Sequence, residues 1–230
     1  MGMTRDEIQA SVEKIRRELA EASEGRYPAP RLMAVTKTRT PEEILPLKEM
    51  GITEIGENRV QELKGKLPEL QGRFGIHLIG RLQRNKVRQI IHDVCMIQSV
   101  DSVPLAEEIH TRARTVGKRM DVLVEVSPAG EEQKGGVPFE ATEAFLKEIA
   151  PLEGIRVRGL MAVMPLTDDR EYLDGLFAKT RELFDRLRDK GLSGIEMEEL
   201  SMGMSGDYQL AAAHGATMVR VGSAIFGPRG

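Results

Sequence analysis

The chain has 230 residues, of which 40% are hydrophobic and 30% charged, a balance typical of a globular protein with a full core. Its net charge of -3 gives no global basic field, and only 4% of the residues are aromatic, so we expect neither nucleic acid nor a membrane as partner. The single cysteine, Cys95, cannot form an internal disulfide. With no recognisable leader peptide and no long apolar span, this favours a cytoplasmic protein.

The first segment, residues 4–24, predicts an amphipathic helix. Thr4, with Glu7 three residues later, matches a capping box. Four apolar residues follow at helical spacing on one face: Ile8, Val12, Ile15 and Leu19. Glycine and prolines in residues 25–30 then end the helix before the first predicted strand.

Beyond that helix, predicted strands and helices alternate. Apolar runs predict strands at residues 32–37, 54–56, 75–79, 94–100, 120–126, 155–161, 198–201 and 218–221. The segments between them predict helices at residues 41–49, 59–67, 83–91, 102–116, 139–150, 170–190 and 206–213. No linker divides the chain, so residues 1–230 are expected to form one α/β domain. Alternation implies parallel pairing, and eight strands predict a single (β/α)8 TIM barrel with an extra N-terminal helix. A doubly wound open sheet is the structural alternative.

A lysine ends the first predicted strand, since Lys37 follows the apolar residues 32–35 and Thr36. In a barrel, functional groups collect just after the strands, on the C-terminal face. An amine held there between apolar side chains suits Schiff-base chemistry, because desolvation disfavours the charged form of an amine. The alternative is an ordinary lysine that extends its ammonium group into water.

Two polar residues near the second and third strands each have a structural alternative. Asn58 follows the second strand and could bind a polar ligand, or it could cap the next helix. His77 lies within the third strand among apolar residues. No other metal-binding side chain stands at a suitable spacing from it, so a packed, hydrogen-bonded histidine is expected there and no metal site.

Two further segments are polar. The one after the third strand carries a group of cations, the basic patch, which consists of Arg81, Arg84, Lys86 and Arg88. The basic patch could bind a phosphate or an RNA, although a solvated helix face explains it better. Residues 127–138 form a long polar loop that could be a lid, a ligand contact or a flexible connection. Lys134 in that loop is a second candidate amine, but a loop position would leave it solvated.

Small residues follow both of the last two predicted strands. Barrels frequently bind phosphate with these two loops, where backbone N–H groups must approach the anion without an intervening side chain. Gly203, Gly222 and Ser223 satisfy that requirement, and Ser201 and Ser223 add hydroxyl donors. Glycine and serine also form ordinary turns. The interpretation as a phosphate site therefore depends on the position of these loops after the last two strands.

These residues together suggest a ligand with two different ends. A lysine after strand one and an anion pocket after strands seven and eight would face one barrel mouth, beside Arg220 on the last strand. An aldehyde bearing a phosphate would satisfy both, and pyridoxal 5'-phosphate (PLP) is such a molecule. Arg220 could then meet the pyridine nitrogen. A permanently charged guanidinium there discourages protonation of the ring, which makes the cofactor a weaker electron sink.

Several motifs together resemble the YggS/PROSC family of pyridoxal phosphate homeostasis proteins, in order and over nearly the whole chain. They are residues 34–37, 56–58, 77–80, 82–83, 85–86, 200–205 and 219–227. The resemblance implies a barrel like the N-terminal domain of bacterial alanine racemase, with PLP bound as a Schiff base on Lys37. It further implies cofactor contacts from Asn58, Ser201, Met202, Arg220, Gly222 and Ser223. Arg81, Arg84 and Gln133 depart from residues common in the family, which puts contacts at the rim in doubt but leaves the cofactor in place.

The resemblance implies a binding protein that takes part in intracellular PLP homeostasis and supply without robust catalytic turnover. Its expected partners are PLP and apo PLP-dependent enzymes, and we expect a monomer. The alternative is a PLP-dependent amino-acid racemase with weak activity. Two-domain racemases take a tyrosine from a second domain, which is not recognised here, and none of Tyr27, Tyr172 and Tyr208 lies in a motif suited to that role. A Schiff-base aldolase on the same barrel would bind no yellow cofactor.

Overall fold

A computed structural model of the protein describes residues 3–130 and 135–228. Its strands are β1 (Arg31–Val35), β2 (Glu54–Glu57), β3 (Gly75–Leu78), β4 (Met96–Val100), β5 (Met120–Ser127), β6 (Val137–Pro138), β7 (Ile155–Ala162), β8 (Ile195–Ser201) and β9 (Met218–Val221). Within the described residues, eight strands pair in parallel in the order β1, β2, β3, β4, β5, β7, β8 and β9, and β9 pairs with β1 to close the barrel. The short β6 pairs with the end of β5. The predicted (β/α)8 barrel is confirmed, and the open sheet is wrong. The assignment of residues 1–230 to one domain stays a prediction.

The helices surround the barrel. They are α1 (Arg5–Ser23), α2 (Pro41–Ile44), α3 (Val60–Leu70), α4 (Val103–Thr115), α5 (Thr142–Ile149), α6 (Arg170–Lys190), α7 (Tyr208–Ala213) and α8 (Ser223–Phe226). The extra helix α1 begins at the predicted capping box of Thr4 and Glu7 and packs against α7 and α8. Among the described residues, none of these helices is long and apolar enough to cross a membrane.

The structure corrects three local predictions. Lys37 lies in a turn two residues beyond β1 and not in the strand itself. The segment predicted as helix at residues 83–91 forms a 3-10 helix over Arg84–Gln89, where Asn85 and Val87 have low α-helix propensity. Helix α8 was not predicted, because four residues are too few to show a helical period.

The barrel interior carries a chain of buried polar side chains, the interior chain. Arg220 Nη1 donates to Ser201 Oγ at 2.7 Å, and Ser201 Oγ donates to Gln98 Oε1, also at 2.7 Å. Gln98 Nε2 lies 2.9 Å from His77 Nδ1, and His77 Nε2 lies 3.4 Å from Glu54 Oε1. His77 is only 2% exposed, so the predicted packed, hydrogen-bonded histidine is confirmed. The interior chain connects the site face of the barrel to its opposite end.

The charge state of His77 is set by two opposing effects. Burial disfavours its charged form, but contacts with Cys95 and Glu54 outweigh that effect and raise the pKa of His77 to about 9. The pKa of Glu54 is lowered in turn, chiefly by its hydrogen bond with His77. The folded protein therefore binds a proton at His77 more tightly than the unfolded chain does. In the protonated state the Gln98 amide turns its oxygen towards His77 Nδ1, because both ring nitrogens are then donors.

We predict that stability falls as the pH rises through about 9, the folded pKa of His77. The raised pKa of His77 contributes roughly 3 kcal/mol to the free energy of unfolding, because the proton binds more tightly in the folded state. This contribution is fully present below the unfolded pKa of about 6.5. Urea unfolding between pH 6 and 10 measures it. His77→Gln should flatten this pH dependence, while the same change at the exposed His92 should leave it intact. Identical pH profiles for wild type and His77→Gln would contradict the assignment.

Candidate cofactor site

The pairing of β1 with β9 brings the predicted lysine and glycine to one edge of the barrel. Met33 lies opposite Arg220 and Ala34 opposite Val221, in parallel register. The next positions also meet, since a Cβ atom built on Gly222 would lie 3.2 Å from the Val35 carbonyl oxygen. Lys37 follows two residues later at the same end, and neighbouring parallel strands are separated by about 4.8 Å. The Lys37 backbone therefore lies at the same mouth as the loop after β9.

One cavity at this mouth contains four of the predicted site residues. Its volume is about 370 Å³, and Lys37, Arg220, Gly222 and Ser223 all line it. Small-molecule sites usually measure roughly 300–1,000 Å³. The cavity is therefore large enough for a small phosphorylated ligand that spans from the lysine to the glycine.

Arg220 is a fixed, buried cation in the cavity wall. Its side chain is held by two hydrogen bonds, from Nη1 to Ser201 Oγ at 2.7 Å and from Nη2 to the Ala162 carbonyl at 2.8 Å. Burial lowers the pKa of Arg220 to about 10, while the carboxylates of Glu125 and Asp207 oppose that shift. Arg220 therefore remains charged at neutral pH and presents donors only.

Two predicted contacts lie beneath the cavity lining. Ser201 and Met202 are both fully buried, at 0% exposure. The Ser201 hydroxyl is engaged with Arg220 and Gln98 and thereby orients Arg220, while its predicted contact with a phosphate stays a prediction. The Met202 N–H bonds the Met218 carbonyl at 3.1 Å, which anchors β8 to β9.

The loop after β9 offers two converging backbone donors. The N–H groups of Gly222 and Ala224 both donate to Ser205 Oγ, each at 3.2 Å. Two N–H groups that converge on one oxygen can equally hold an oxygen of a phosphate, and the cavity residues therefore fit a phosphorylated aldehyde. The sequence reasoning missed Ser205 as a site residue, although it lies in the small-residue segment after β8.

The turn that carries Lys37 has an unusual backbone. Thr38 adopts a left-handed conformation with φ of 65°. A β-branched residue rarely occupies this region, and such a conformation costs about 1–3 kcal/mol unless the surroundings enforce it. The Arg39 N–H bonds the Thr36 carbonyl at 3.1 Å and closes the turn around Lys37, which is half-buried.

Arg39 was also missed from the sequence. It lines the cavity and joins the loop of Lys37 to the segment after α8. Its guanidinium donates to the Gly227 carbonyl at 3.1 Å and lies 5.2 Å above the centre of the Phe226 ring. A pair of side chains so far apart in the sequence leaves no local pattern that could have shown this contact.

A separate cavity of about 470 Å³ is lined in part by Asn58 and by two members of the basic patch, Arg81 and Lys86. Asn58 does not cap α3, because Arg59 occupies the capping position. Among the described residues, Asn58 Oδ1 is buried without a hydrogen-bond partner. Three members of the basic patch are exposed and Lys86 is half-buried, in agreement with a solvated face.

Two further predictions concern the polar loop after β5 and the absence of a metal site. Gln133 and Lys134 lie outside the described residues, so Lys134 stays a prediction as a second amine. Within residues 3–130 and 135–228, no group of three His, Cys, Asp or Glu side chains is arranged to hold a metal ion.

Comparisons with known proteins agree with this architecture. A protein of Aquifex aeolicus named pyridoxal phosphate homeostasis protein is 38% identical over 219 residues, which cover 95% of each chain. The structure of PipY of Synechococcus elongatus with PLP bound has a TM-score of 0.85 at 32% identity, and the match covers 96% of this chain and all of PipY.

A more distant structure supports the fold alone. Alanine racemase of Clostridium difficile in complex with cycloserine has a TM-score of 0.77 at 17% identity, and the match covers 96% of this chain and 59% of the racemase. Residues 5–230 match the family described as alanine racemase, N-terminal domain. The chain thus belongs to the alanine racemase N-terminal domain family and, within it, to the pyridoxal phosphate homeostasis proteins.

Proposed function

We propose that this protein binds PLP as a Schiff base on Lys37 and takes part in intracellular PLP homeostasis and supply, without robust catalytic turnover. The observation that carries the proposal is the cavity in which Lys37, the buried Arg220 and the Gly222 loop meet. PipY, a relative that the match covers over its full length, has PLP bound in its solved structure. A cytoplasmic location and a monomeric state stay predictions.

Each cavity residue has a distinct task in this proposal. When bound, PLP supplies an electrophilic aldehyde and a phosphate. Lys37 Nζ attacks the aldehyde carbon and forms the Schiff base with loss of one water molecule. Phosphate oxygens are held by the N–H groups of Gly222 and Ala224 and by the Ser223 hydroxyl. Without the ligand, the two N–H groups donate to Ser205 Oγ, which takes the place of a phosphate oxygen. Asn58, Ser201 and Met202 do not line this cavity, and their contacts with the cofactor are proposed from the family resemblance.

Arg220 explains why such a site would carry PLP and not use it. Its guanidinium stays charged and has only donors, so it cannot give the ring nitrogen a full proton as a carboxylic acid could. Without that proton, the ring stabilises a carbanion poorly. Release of the cofactor to apo-enzymes then proceeds by exchange of the Lys37 amine for another amine, or by hydrolysis.

A weak amino-acid racemase remains the second candidate for this barrel. Racemisation needs a second acid or base across from Lys37. Within the described residues, none of the three tyrosines lines the cavity. Tyr208 donates to Glu18, and Tyr27 packs under Arg181 with 4.7 Å between ring centre and guanidinium. These contacts argue against sustained turnover.

Borohydride trapping should identify the lysine. Purified protein incubated with PLP and reduced with borohydride should carry the cofactor on Lys37, because this amine lines the described cavity. Peptide mapping by mass spectrometry measures the site. Lys37→Met should abolish labelling, and Lys64→Met, at an exposed position of α3, should not. A stable adduct on Lys134 in wild type would refute the assignment.

The anion pocket should discriminate PLP from pyridoxal. We expect wild type to bind PLP at least about 100-fold more tightly than pyridoxal, because each hydrogen bond to a charged phosphate oxygen contributes about 1.5–3 kcal/mol and two N–H groups converge there. Ser223→Ala should weaken PLP binding about fivefold or more while leaving pyridoxal binding unchanged. Ser193→Ala, at an exposed loop position, is the matched control. Equal affinities for PLP and pyridoxal would exclude this pocket as the phosphate site.

Racemisation should not exceed background. With L-alanine or D-alanine and bound PLP, we expect no conversion beyond that given by the same concentration of free PLP, because none of the three tyrosines, all within the described residues, lines the cavity with Lys37. A chirality-resolved assay measures the product. Sustained turnover that disappears in Lys37→Met would establish the racemase and overturn the carrier.

A further inference from the structure

A buried ion cluster, here called the Lys66 clamp, lies behind the Lys37 turn and consists of Lys66, Glu57 and Glu62. Lys66 is 6% exposed and Glu57 is fully buried. Lys66 Nζ lies 2.8 Å from Glu57 Oε1 and 2.8 Å from Glu62 Oε1. Helix α3 supplies Lys66 and Glu62, while β2 supplies Glu57. None of the three lines the cavity that contains Lys37.

The Lys66 clamp holds the peptide groups on both sides of Lys37. On the N-terminal side, Lys66 Nζ donates to the Thr36 carbonyl at 2.8 Å, and the Thr36 hydroxyl donates to Glu57 Oε1 at 2.6 Å. On the C-terminal side, the Thr38 N–H donates to Glu62 Oε1. One ammonium group thus links the residue before Lys37 to the residue after it.

The backbone at Thr38 requires such support. Its left-handed φ of 65° is unfavourable for a β-branched side chain. Backbone conformations of this kind persist only where surrounding contacts enforce them. Glu62 accepts the Thr38 N–H at the strained residue itself, and so adds to the Arg39 N–H bond that closes the turn.

Stability alone does not account for the Lys66 clamp. Buried ion pairs generally add little stability over apolar side chains of similar size, because the charges must be desolvated. Burial raises the pKa of Glu57 despite the neighbouring ammonium group. Among the described residues, Glu57 Oε2 is buried without a hydrogen-bond partner. An arrangement with this cost is better explained by the backbone geometry that it imposes.

We propose that Glu62 and Lys66 are positioning residues that fix the turn of Lys37, so that its amine points at the bound aldehyde. This inference rests on the proposed function of Lys37. With the turn fixed, Lys37 Nζ spends more time within reach of the aldehyde carbon, which favours bond formation. Loosening the turn slows Schiff-base formation without touching the anion pocket.

Three variants of α3 separate positioning from charge. Glu62→Ala removes the acceptor for the Thr38 N–H, whereas Glu62→Gln keeps an accepting oxygen and loses only the charge. Glu69→Ala removes a carboxylate from an exposed position of the same helix and is the control. Glu62 is preferred to Lys66 as the target, because removal of Lys66 would leave the buried Glu57 unpaired. The double variant Lys66→Met/Glu57→Gln removes both buried charges together and provides a second test.

The first measurement is hydrogen exchange of the Thr38 amide without PLP. We expect about tenfold faster exchange in Glu62→Ala, since one hydrogen bond to a charged acceptor is lost. Glu62→Gln and Glu69→Ala should exchange within about twofold of wild type, and the double variant should also exchange faster. An unchanged exchange rate of the Thr38 amide in Glu62→Ala would contradict the claim that the Lys66 clamp holds this turn.

The second measurement is the rate of Schiff-base formation, followed by borohydride quench and quantification of labelled Lys37. It should fall about fivefold or more in Glu62→Ala and in the double variant, and recover in Glu62→Gln. If Glu62→Ala and the double variant formed the Schiff base at the wild-type rate, with labelling still at Lys37, the positioning role of Glu62 and Lys66 would be refuted. The proposed function would still stand. No labelling at Lys37 in wild type would instead refute the proposed function, while the exchange data would still report on the clamp.

Discussion

Parallel pairing of the first strand with the last is the constraint on which the site depends. The register of Met33 with Arg220 and Ala34 with Val221 leaves both strands ending at the same mouth. A reactive amine after one strand and an anion pocket after the other then become neighbours, although most of the chain separates them. Sliding the register by one residue would turn Arg220 out of the barrel interior, because side chains alternate between the two faces of a strand.

The second requirement is that charge be tolerated inside the barrel. Arg220 is buried at 3% exposure, and its guanidinium finds acceptors in Ser201, a member of the interior chain, and in the Ala162 backbone carbonyl. The Lys66 clamp likewise supplies hydrogen-bond partners to the backbone on both sides of Lys37, from outside the barrel. Both arrangements place buried polar groups where they orient a side chain at the site. The side chains at the site are therefore oriented in part by residues that do not line the cavity.

The sequence was sufficient for the residues that strand order determines. Lys37, Arg220 and Gly222 were predicted together because a parallel barrel collects strand ends on one face, and the cavity contains all three. The engagement of Ser201 with Gln98 and the donors directed at Ser205 could not be predicted. Such contacts depend on side-chain directions between strands that are distant in sequence, and a single sequence contains no pattern for them.

The most direct test of the account is a crystal structure of the protein grown with PLP. The account predicts continuous density from Lys37 Nζ to the cofactor, with the phosphate on the Gly222 and Ala224 N–H groups and Ser205 displaced from them. Density for the cofactor in the other cavity, beside Arg81 and Lys86, with a free Lys37 amine, would contradict it.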